Sequence, residues 1–345
     1  MGAPATDPRR AVATATGARP ITHEDPLTTP AEAVDRPDER PAPPAATPET
    51  LAHGLVRLAR PRQWIKNLLV FVAPGAAGVL LHATVLWHAA AAFGIFCVAA
   101  TGTYYLNDTL DAAADRRHPT KRHRPVAAGV VPVPLALGIG AALMAGSIGL
   151  AALVAGWHLS VVMGTYVAVQ LAYSFGLKNE PILDLACVSA GFILRAVAGG
   201  VATSVQLSNW FLIVVSFGSL LVVTGKRSSE KELLATGDAD DAAIRQTLGL
   251  YSPSFLRSVR TLSAAVTVSA YCTWAFERAS QVHPGHDPIW FQLTIIPFVL
   301  ALLHVLRLLD SGAGAAPEEL ALRDHRLQIY GVCWVALFAI GAYAG

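Results

Sequence analysis

Charged residues are scarce in this chain of 345 residues. Asp, Glu, Lys and Arg make up 14% of it, whereas hydrophobic residues make up 53%; ordinary soluble domains carry roughly 25% charged residues. This composition excludes an ordinary soluble domain, because a soluble core cannot bury that much apolar surface. The formal net charge of +2 is uninformative, since the charges are placed unevenly along the chain.

Cysteine is rare as well, and no tract is densely basic. The four cysteines, Cys97, Cys187, Cys272 and Cys333, stand singly without CxxC spacing, which argues against a disulfide framework or a cysteine metal site. We interpret them as small buried hydrophobic residues. No segment interleaves basic and aromatic residues as nucleic-acid binding requires, so nucleic acid is not an expected partner.

The first fifty residues lack an apolar segment. They are rich in Ala, Pro, Thr, Asp and Arg, so they cannot form a secretory signal. Such a composition is typical of disorder. We therefore predict a disordered cytoplasmic tail at 1–50 and a transmembrane domain at 51–345.

Long apolar runs fill the rest of the chain. A transmembrane helix needs about 20 mostly apolar residues, and the sequence predicts an all-α membrane protein with nine such helices. The predicted spans are 64–81, 86–107, 132–155, 159–176, 182–203, 209–225, 256–275, 288–308 and 328–344.

Basic residues set the predicted orientation, because cytoplasmic loops retain Lys and Arg. With the N-terminus inside, the outer loops contain one basic residue, Arg278, and the two long charged loops, 108–131 and 226–255, face the cytoplasm. We predict a cytoplasmic N-terminus and an extracytoplasmic C-terminus. The active site is expected on the cytoplasmic side of the plasma membrane.

Three carboxylates follow the second predicted helix. Asp108, Asp111 and Asp115 are spaced i, i+3, i+7, which places them on one helix face. A divalent cation relieves their repulsion, and hard oxygen ligands with few protein contacts suit Mg²⁺ bound through substrate phosphates. We predict a magnesium site at Asn107, Asp108, Asp111 and Asp115, with the three carboxylates as catalytic residues. A solvated helix end is the alternative.

Basic residues come directly after these carboxylates. Lys121, Arg122 and Arg124 can bind an anion beside the metal. An acidic stripe followed by a basic one is what a magnesium diphosphate requires.

These residues carry a family resemblance. Asn107-Asp108-x-x-Asp111-x-x-x-Asp115, followed by Lys121-Arg122-x-Arg124-Pro125, resembles the first signature of the UbiA superfamily of intramembrane prenyltransferases. The resemblance extends over the chain after residue 55 and implies nine helices with this signature at the end of the second. Common members carry a second motif, DxxxD, after helix six. Here Lys226 and Arg227 stand in that region with Glu230 as the best remaining acid, which suits a substrate with an additional phosphate.

Other segments narrow the resemblance to the decaprenyl-phosphate phosphoribosyltransferase branch. They are Arg60-Pro61-Arg62-Gln63-Trp64-Ile65-Lys66-Asn67, Tyr173-Ser174-Phe175-Gly176-Leu177-Lys178, and the stretch from Asp184 to Gly200. The resemblance implies phosphoribosyl diphosphate as donor, a polyprenyl phosphate as acceptor and a product used in cell-wall arabinan synthesis. We expect substrate contacts from Lys66, Asn67, Lys121, Arg122, Arg124, Tyr173, Lys178, Asp184, Arg195, Lys226, Arg227 and Glu230.

Asp184 and Arg195 stand in an apolar segment, where charge is costly and usually functional. Their separation is close to three helical turns, so both can face one internal cavity. A structural pair bridged through other polar groups is the alternative.

Two other functions stay open. One is transfer of a prenyl group from its diphosphate to an aromatic or other acceptor. The other is a transporter or lipid-binding scaffold, for which ionisable residues near the midplane of several spans are expected. The membrane itself is an expected partner, and a homo-oligomer is left open.

Overall fold

The computed structural model describes residues 50–235, 246–281, 287–311 and 323–343. The predicted disordered tail lies outside these ranges except for its last residue. Within them, all regular secondary structure is helical, as the composition predicts.

Twelve α-helices lie in the described ranges. They are α1 (Leu51–Ala59), α2 (Val72–Ala76), α3 (Ala83–Leu110), α4 (Ala112–Asp115), α5 (Val133–Phe175), α6 (Pro181–Ala202), α7 (Asn209–Ala235), α8 (Gln246–Leu250), α9 (Pro253–Ser280), α10 (Ile289–Leu293), α11 (Ile295–Asp310) and α12 (His325–Tyr343). Three 3₁₀ helices cover Pro61–Phe71, Lys121–His123 and Leu177–Asn179.

Six helical segments among the described residues are long and apolar enough to cross a membrane. They are Ala83–Leu110, Val133–Phe175, Pro181–Ala202, Asn209–Glu232, Ile289–Asp310 and His325–Tyr343. The sequence predicts nine spans. Because only six segments of the described residues meet these criteria, the count of nine is not confirmed and stays a prediction.

The difference between six and nine has identifiable sources. Helix α5 has 43 residues and covers two predicted spans; its backbone leaves helical geometry at Ala155 and at Gly156, where φ is 69°. The sequence predicts a break at this place. The predicted spans 64–81 and 256–275 fall on residues 61–76 and on α9, which are not among the six segments.

Two glycines let α3 and α5 pack closely. A Cβ atom on Gly102 would lie 2.8 Å from the carbonyl oxygen of Gly140, so a larger residue would force the helices apart. Phe96 and Met163, both fully buried, belong to the core around this contact. This contact joins the C-terminal half of α3 to the N-terminal part of α5. The C-terminal ends of the two helices meet separately, through the hydrogen bond from Ser174 to Asn107.

A third glycine joins α6 to the 3₁₀ helix Pro61–Phe71. A Cβ atom on Gly199 would lie 1.9 Å from the carbonyl oxygen of Val70, a distance that excludes any side chain. This contact places Asn67 beside Arg195 of α6.

Helix α1 was not predicted. Thr50 caps it by accepting a hydrogen bond from the backbone N–H of His53, and the buried Gly54 and Leu58 face Val131 and its neighbours. The helix ends at Ala59, and Arg60 caps it with a φ of 50° and a ψ of 59°, which lie in the left-handed region.

The cysteines differ in burial. Cys97 is buried, Cys187 and Cys272 are partly exposed, and Cys333 is exposed. The expectation that all four are buried was therefore wrong for three of them. On helices apolar enough to contact lipid, a small hydrophobic residue does not need the protein core.

Candidate active site

The three predicted carboxylates lie where α3 ends and α4 follows. Asp108 is in the last turn of α3, Asp111 joins the two helices and Asp115 ends α4. The side chains of Asp108 and Asp115 are 2% and 5% exposed, whereas that of Asp111 is 37% exposed. Two of the three acids are thus held away from water.

Each carboxylate is bonded to a cation. Arg60 Nη2 lies 2.6 Å from Asp108 Oδ1. Arg124 Nη1 bridges two acids, at 3.3 Å from Asp108 Oδ1 and 2.8 Å from Asp115 Oδ2. Lys178 Nζ lies 2.9 Å from Asp111 Oδ1. Three positive side chains therefore balance three negative ones.

A turn held by His118 carries the basic residues that follow the carboxylates. Its Nδ1 atom accepts hydrogen bonds from the backbone N–H groups of Thr120 and Lys121, both at 3.1 Å, so the ring proton resides on Nε2. The turn directs Arg124 to the carboxylates. Arg122 is exposed, and its Nε contacts His123 Nε2 at 3.3 Å.

Asn107 connects the carboxylates to a small polar cavity. Its Oδ1 atom accepts a hydrogen bond from Ser174 Oγ at the end of α5. The cavity has a volume of about 140 Å³. It is lined by the predicted residues Lys66, Asn107, Tyr173 and Arg195, and by others including Thr103, Tyr104, Tyr166 and Gln170.

Arg195 is held in this cavity by four partners. Its Nε donates to Asn67 Oδ1 at 2.7 Å, its Nη1 to the Gly191 carbonyl at 2.6 Å and its Nη2 to Tyr166 at 3.2 Å. The guanidinium also lies over the ring of Phe96, 5.5 Å from the centroid. Asn67 is fully buried and does not line the polar cavity. It therefore supports Arg195, which does line the cavity.

Asp184 forms a separate buried ion pair. Arg227 binds it through Nε at 2.7 Å and Nη2 at 2.8 Å, and Arg227 Nη1 reaches Glu230 Oε2 at 2.7 Å. Tyr173 donates to Asp184 at 3.0 Å. The expectation that Asp184 and Arg195 face one cavity is corrected: Arg195 lines the polar cavity, and Asp184 is connected to it through Tyr173.

Lys226 differs from Arg227 in its surroundings. Its Nζ lies 4.0 Å from Glu230 Oε1 and its side chain is 38% exposed, whereas the Arg227 side chain is 4% exposed. Of these two predicted phosphate contacts, Lys226 is the more accessible.

Tyr251 fixes the start of α6 near Asp184. Its hydroxyl donates to the carbonyl oxygen of Pro181. Burial raises the pKa of the Tyr251 hydroxyl, which keeps the donor protonated. The first turn of α6, where Asp184 lies, is thereby held in place.

The predicted metal ligands are all hard oxygen donors, which fits Mg²⁺. That ion keeps several waters and typically takes one or two carboxylates together with substrate phosphates. Within the described ranges, no three acidic, histidine or cysteine side chains are already arranged around a metal position. The oxygen donors of these residues are chemically suited to a magnesium ion that also binds a diphosphate.

A larger, apolar cavity lies between α2, α7, α9, α11 and α12. Its volume is about 850 Å³. Aromatic residues contribute much of the lining, among them Phe71, Phe211, Trp274, Phe298, Trp334 and Phe338. Such a surface suits a hydrocarbon chain.

Several residues of this site were missing from the predicted set. Arg60, Tyr104, Tyr166, Gln170 and Ser174 contact predicted residues or line the polar cavity. A signal existed for Arg60, which lies in the basic segment from Arg57 to Lys66 at the start of the first predicted span. Polar residues inside apolar spans, such as Gln170, are a second signal.

Comparison with known proteins places the chain among membrane transferases. The model of the UbiA prenyltransferase family matches residues 68–340. The decaprenyl-phosphate phosphoribosyltransferase of Corynebacterium glutamicum is 44% identical over 299 residues, 86% of this chain and 89% of that protein. The enzyme of the same name from Mycobacterium tuberculosis is 44% identical over 297 residues, 84% of this chain and 94% of that protein.

A solved structure has the same fold. A UbiA homolog from Archaeoglobus fulgidus, bound to DMAPP and Mg²⁺, has a TM-score of 0.64 with 18% sequence identity. The match covers 84% of this chain and 97% of that one.

Proposed function

This chain belongs to the UbiA prenyltransferase family, and from that membership we propose that it transfers a 5-phosphoribosyl group from phosphoribosyl diphosphate to decaprenyl phosphate, releasing diphosphate. The observation that carries the proposal is the group of Asp108, Asp111 and Asp115 with a cation bonded to each. The choice of donor and acceptor rests on relatives that are 44% identical and bear this activity in their names.

The carboxylates would hold Mg²⁺ on the donor diphosphate, with Asn107 as a neutral ligand. When bound, the metal neutralises charge that develops on the leaving group. The cations that now bond the carboxylates are within reach of a diphosphate in the same place, since Arg60, Arg124 and Lys178 end at these oxygens.

In the transfer itself, the bond between ribose C1 and the diphosphate oxygen breaks, and a bond forms from C1 to an oxygen of the acceptor phosphate. Diphosphate leaves with the bonding electrons. The acceptor phosphate is already ionised and nucleophilic, so a general base is not required. Positioning by Lys66, Tyr173 and Arg195 around the polar cavity, together with the surrounding charge, supplies the catalysis.

The acceptor needs room for a long hydrocarbon chain. The apolar cavity of about 850 Å³ provides an aromatic surface for part of that chain. Lys226 and Lys178 are both partly exposed, so each is accessible to a substrate phosphate.

We also propose nine membrane spans with a cytoplasmic N-terminus and an extracytoplasmic C-terminus, in the plasma membrane. Division of α5 at Ala155 and Gly156, together with residues 61–76 and α9, would raise the six candidate segments to nine. The retention of basic residues on one side supports a cytoplasmic active site. As the resemblance to the phosphoribosyltransferase branch implies, we propose that the product is used in cell-wall arabinan synthesis.

The decisive experiment supplies purified protein with phosphoribosyl diphosphate, decaprenyl phosphate and Mg²⁺ and measures diphosphate release. We expect release that requires the lipid phosphate and stops with EDTA. A parallel reaction contains a prenyl diphosphate and an aromatic acceptor. Turnover in the second reaction alone would support prenyl transfer, and turnover in neither would contradict both enzymatic proposals.

A further inference from the structure

We infer that Arg60 is a donor-binding residue that occupies the metal-binding carboxylate until the donor arrives. The inference rests on the proposed function for the presence of a metal diphosphate at Asp108. In this view the guanidinium of Arg60 neutralises Asp108 in the substrate-free enzyme and turns to a phosphate of the donor when the metal takes the carboxylate.

The first observation is the ion pair itself. Arg60 Nη2 lies 2.6 Å from Asp108 Oδ1, and the Asp108 side chain is only 2% exposed. A buried carboxylate needs a partner, and Arg124 at 3.3 Å also serves Asp115. The Arg60 side chain is 31% exposed, so this partner, unlike the acid, can reach a ligand that enters from solvent.

The second observation is the backbone of Arg60. Its φ of 50° and ψ of 59° are left-handed, a conformation that helix ends usually assign to glycine. The next residue is Pro61, and residues before proline favour extended conformations. Arginine at this position is therefore costly for the backbone, and such strain persists where a side chain is required for function.

The third observation is that the surroundings limit where the guanidinium can go. It lies over the ring of Tyr104, 5.0 Å from the centroid, and Tyr104 lines the polar cavity. Helix α1, which delivers Arg60, is fixed on α3 by the hydrogen bond from Tyr105 to the Leu55 carbonyl at 2.8 Å. The guanidinium therefore stays between the carboxylates and the polar cavity, where the donor is expected.

This role predicts that loss of Arg60 changes two affinities in opposite directions, that for a bare divalent cation and that for the donor. Loss of a purely structural residue would not have this effect. Loss of the positive charge removes a competitor of the metal at Asp108, so a bare divalent cation should bind more tightly. The same change removes a contact to the donor, so the donor should bind more weakly. A residue that only supports the fold would weaken both or neither.

The test compares Arg60→Gln with Arg62→Gln in the purified full-length protein. Arg62 is an exposed cation two positions along the same segment, and no hydrogen bond or ion pair links it to another described residue. Binding of Mn²⁺ alone is measured by electron paramagnetic resonance. Binding of inorganic diphosphate and of phosphoribosyl diphosphate, each with Mg²⁺, is measured by calorimetry.

For Arg60→Gln we expect Mn²⁺ alone to bind about three- to tenfold more tightly and both diphosphates to bind about tenfold or more weakly. Arg62→Gln should change neither affinity. Arg60→Lys, which keeps the charge, should retain the native Mn²⁺ affinity and recover part of the donor affinity, and it serves if the glutamine variant does not fold.

Unchanged or weakened Mn²⁺ binding in Arg60→Gln, or unchanged binding of inorganic diphosphate, would overturn the inference. These measurements do not depend on which donor the enzyme uses. If the native protein released no diphosphate from phosphoribosyl diphosphate, the proposed function would fail while the Mn²⁺ and inorganic diphosphate results still decided the role of Arg60.

Discussion

At the scale of single residues, the carboxylates of the site differ in how far water reaches them. Asp111 is 37% exposed and has one partly exposed partner, Lys178, whereas Asp108 is 2% exposed and accepts bonds from two guanidinium groups. Exposed ion pairs contribute about 0–1 kcal/mol to stability, and hydrogen bonds to charged groups contribute about 1.5–3 kcal/mol. The same chemical change should therefore cost different amounts of folding free energy at the two positions.

We predict that Asp111→Asn abolishes turnover and leaves thermal stability nearly unchanged, because a predicted metal ligand is lost at an exposed position. Asp108→Asn should also abolish turnover and lower the free energy of unfolding by about 1.5–3 kcal/mol. Diphosphate release and thermal unfolding without Mg²⁺ measure the two effects. Substantial activity of Asp111→Asn at saturating donor would remove this carboxylate from the metal site.

A second prediction at this scale concerns Lys226, a predicted contact of a substrate phosphate. Its exposed ammonium can contact a phosphate, so Lys226→Ala should raise the apparent donor constant about tenfold, given about 1.5–3 kcal/mol for a charged hydrogen bond. Lys226→Asp should raise it further by repulsion. Neither change should create activity with a prenyl diphosphate.

The control for this pair is Arg257→Ala, which removes an exposed cation of α9. Its donor constant should equal that of the native enzyme. Unchanged constants in both Lys226 variants would exclude Lys226 from the donor site.

At the scale of secondary-structure elements, the contact between α6 and the 3₁₀ helix Pro61–Phe71 positions one wall of the polar cavity. The backbone of Val70 touches Gly199, and this approach lets Asn67 accept the bond from Arg195. Damage to a helix contact should therefore appear as damage to the site.

We predict that Gly199→Ala destabilises the protein by at least about 1–3 kcal/mol, the usual cost of overpacking, and lowers activity by displacing Asn67 from Arg195. Gly218→Ala is the matched control. Nothing lies within 4 Å of a Cβ atom at Gly218, so alanine in this helix interior should stabilise by about 0.5–1 kcal/mol. Equal thermal stability of the two variants would contradict the close contact.

The elements that could be predicted are those with a long apolar pattern. The break in α5 at Ala155 and Gly156 was expected from the sequence, as were the limits of α6. Helix α1 has only nine residues, too few to stand out by periodicity. The 3₁₀ conformation of Pro61–Phe71 and its contact with α6 were not predicted, because the apolar pattern of the sequence does not distinguish a 3₁₀ helix from an α-helix.

In the site, too, local features could be predicted from the sequence and contacts between distant elements could not. The spacing of Asp108, Asp111 and Asp115 is a local property, so it could be read from the chain. Their cations come from other elements: Arg60 is 48 residues from Asp108, and Lys178 is 67 residues from Asp111. Only the packing of α1, α3 and α5 reveals which cation meets which acid. In the same way, only the packing of α6 against α7 reveals that Asp184 pairs with Arg227.

At the scale of the whole molecule, the asymmetry of basic residues determines the expected orientation. Each carboxylate follows the second predicted span, Lys178 follows the fourth and Lys226 follows the sixth, all on the side predicted to be cytoplasmic. Arg278 follows the seventh predicted span, on the opposite side. Retention of Lys and Arg in the cytoplasm therefore predicts a cytoplasmic N-terminus and, with nine spans, an extracytoplasmic C-terminus.

We predict that alkaline phosphatase fused after Gly345 is active in cells and that a fluorescent protein fused there is dark. Both reporters should behave in the opposite way when fused after Thr224, at the end of the sixth predicted span. The measurement is enzyme activity or fluorescence normalised to the amount of fusion protein. The same result at both positions would show that an even number of spans separates them and would contradict the nine-span arrangement.

The balance of charge around the carboxylates has a consequence for encounter kinetics. Because three cations offset three acids, the centre of the site exerts little long-range attraction. Exposed arginines remain on the flanking segments: Arg57, Arg116, Arg117 and Arg122. Fields of exposed charges accelerate the approach of an anion and are screened over about 10 Å at 0.1 M salt. Added salt should therefore slow the association of the donor and leave its dissociation almost unchanged.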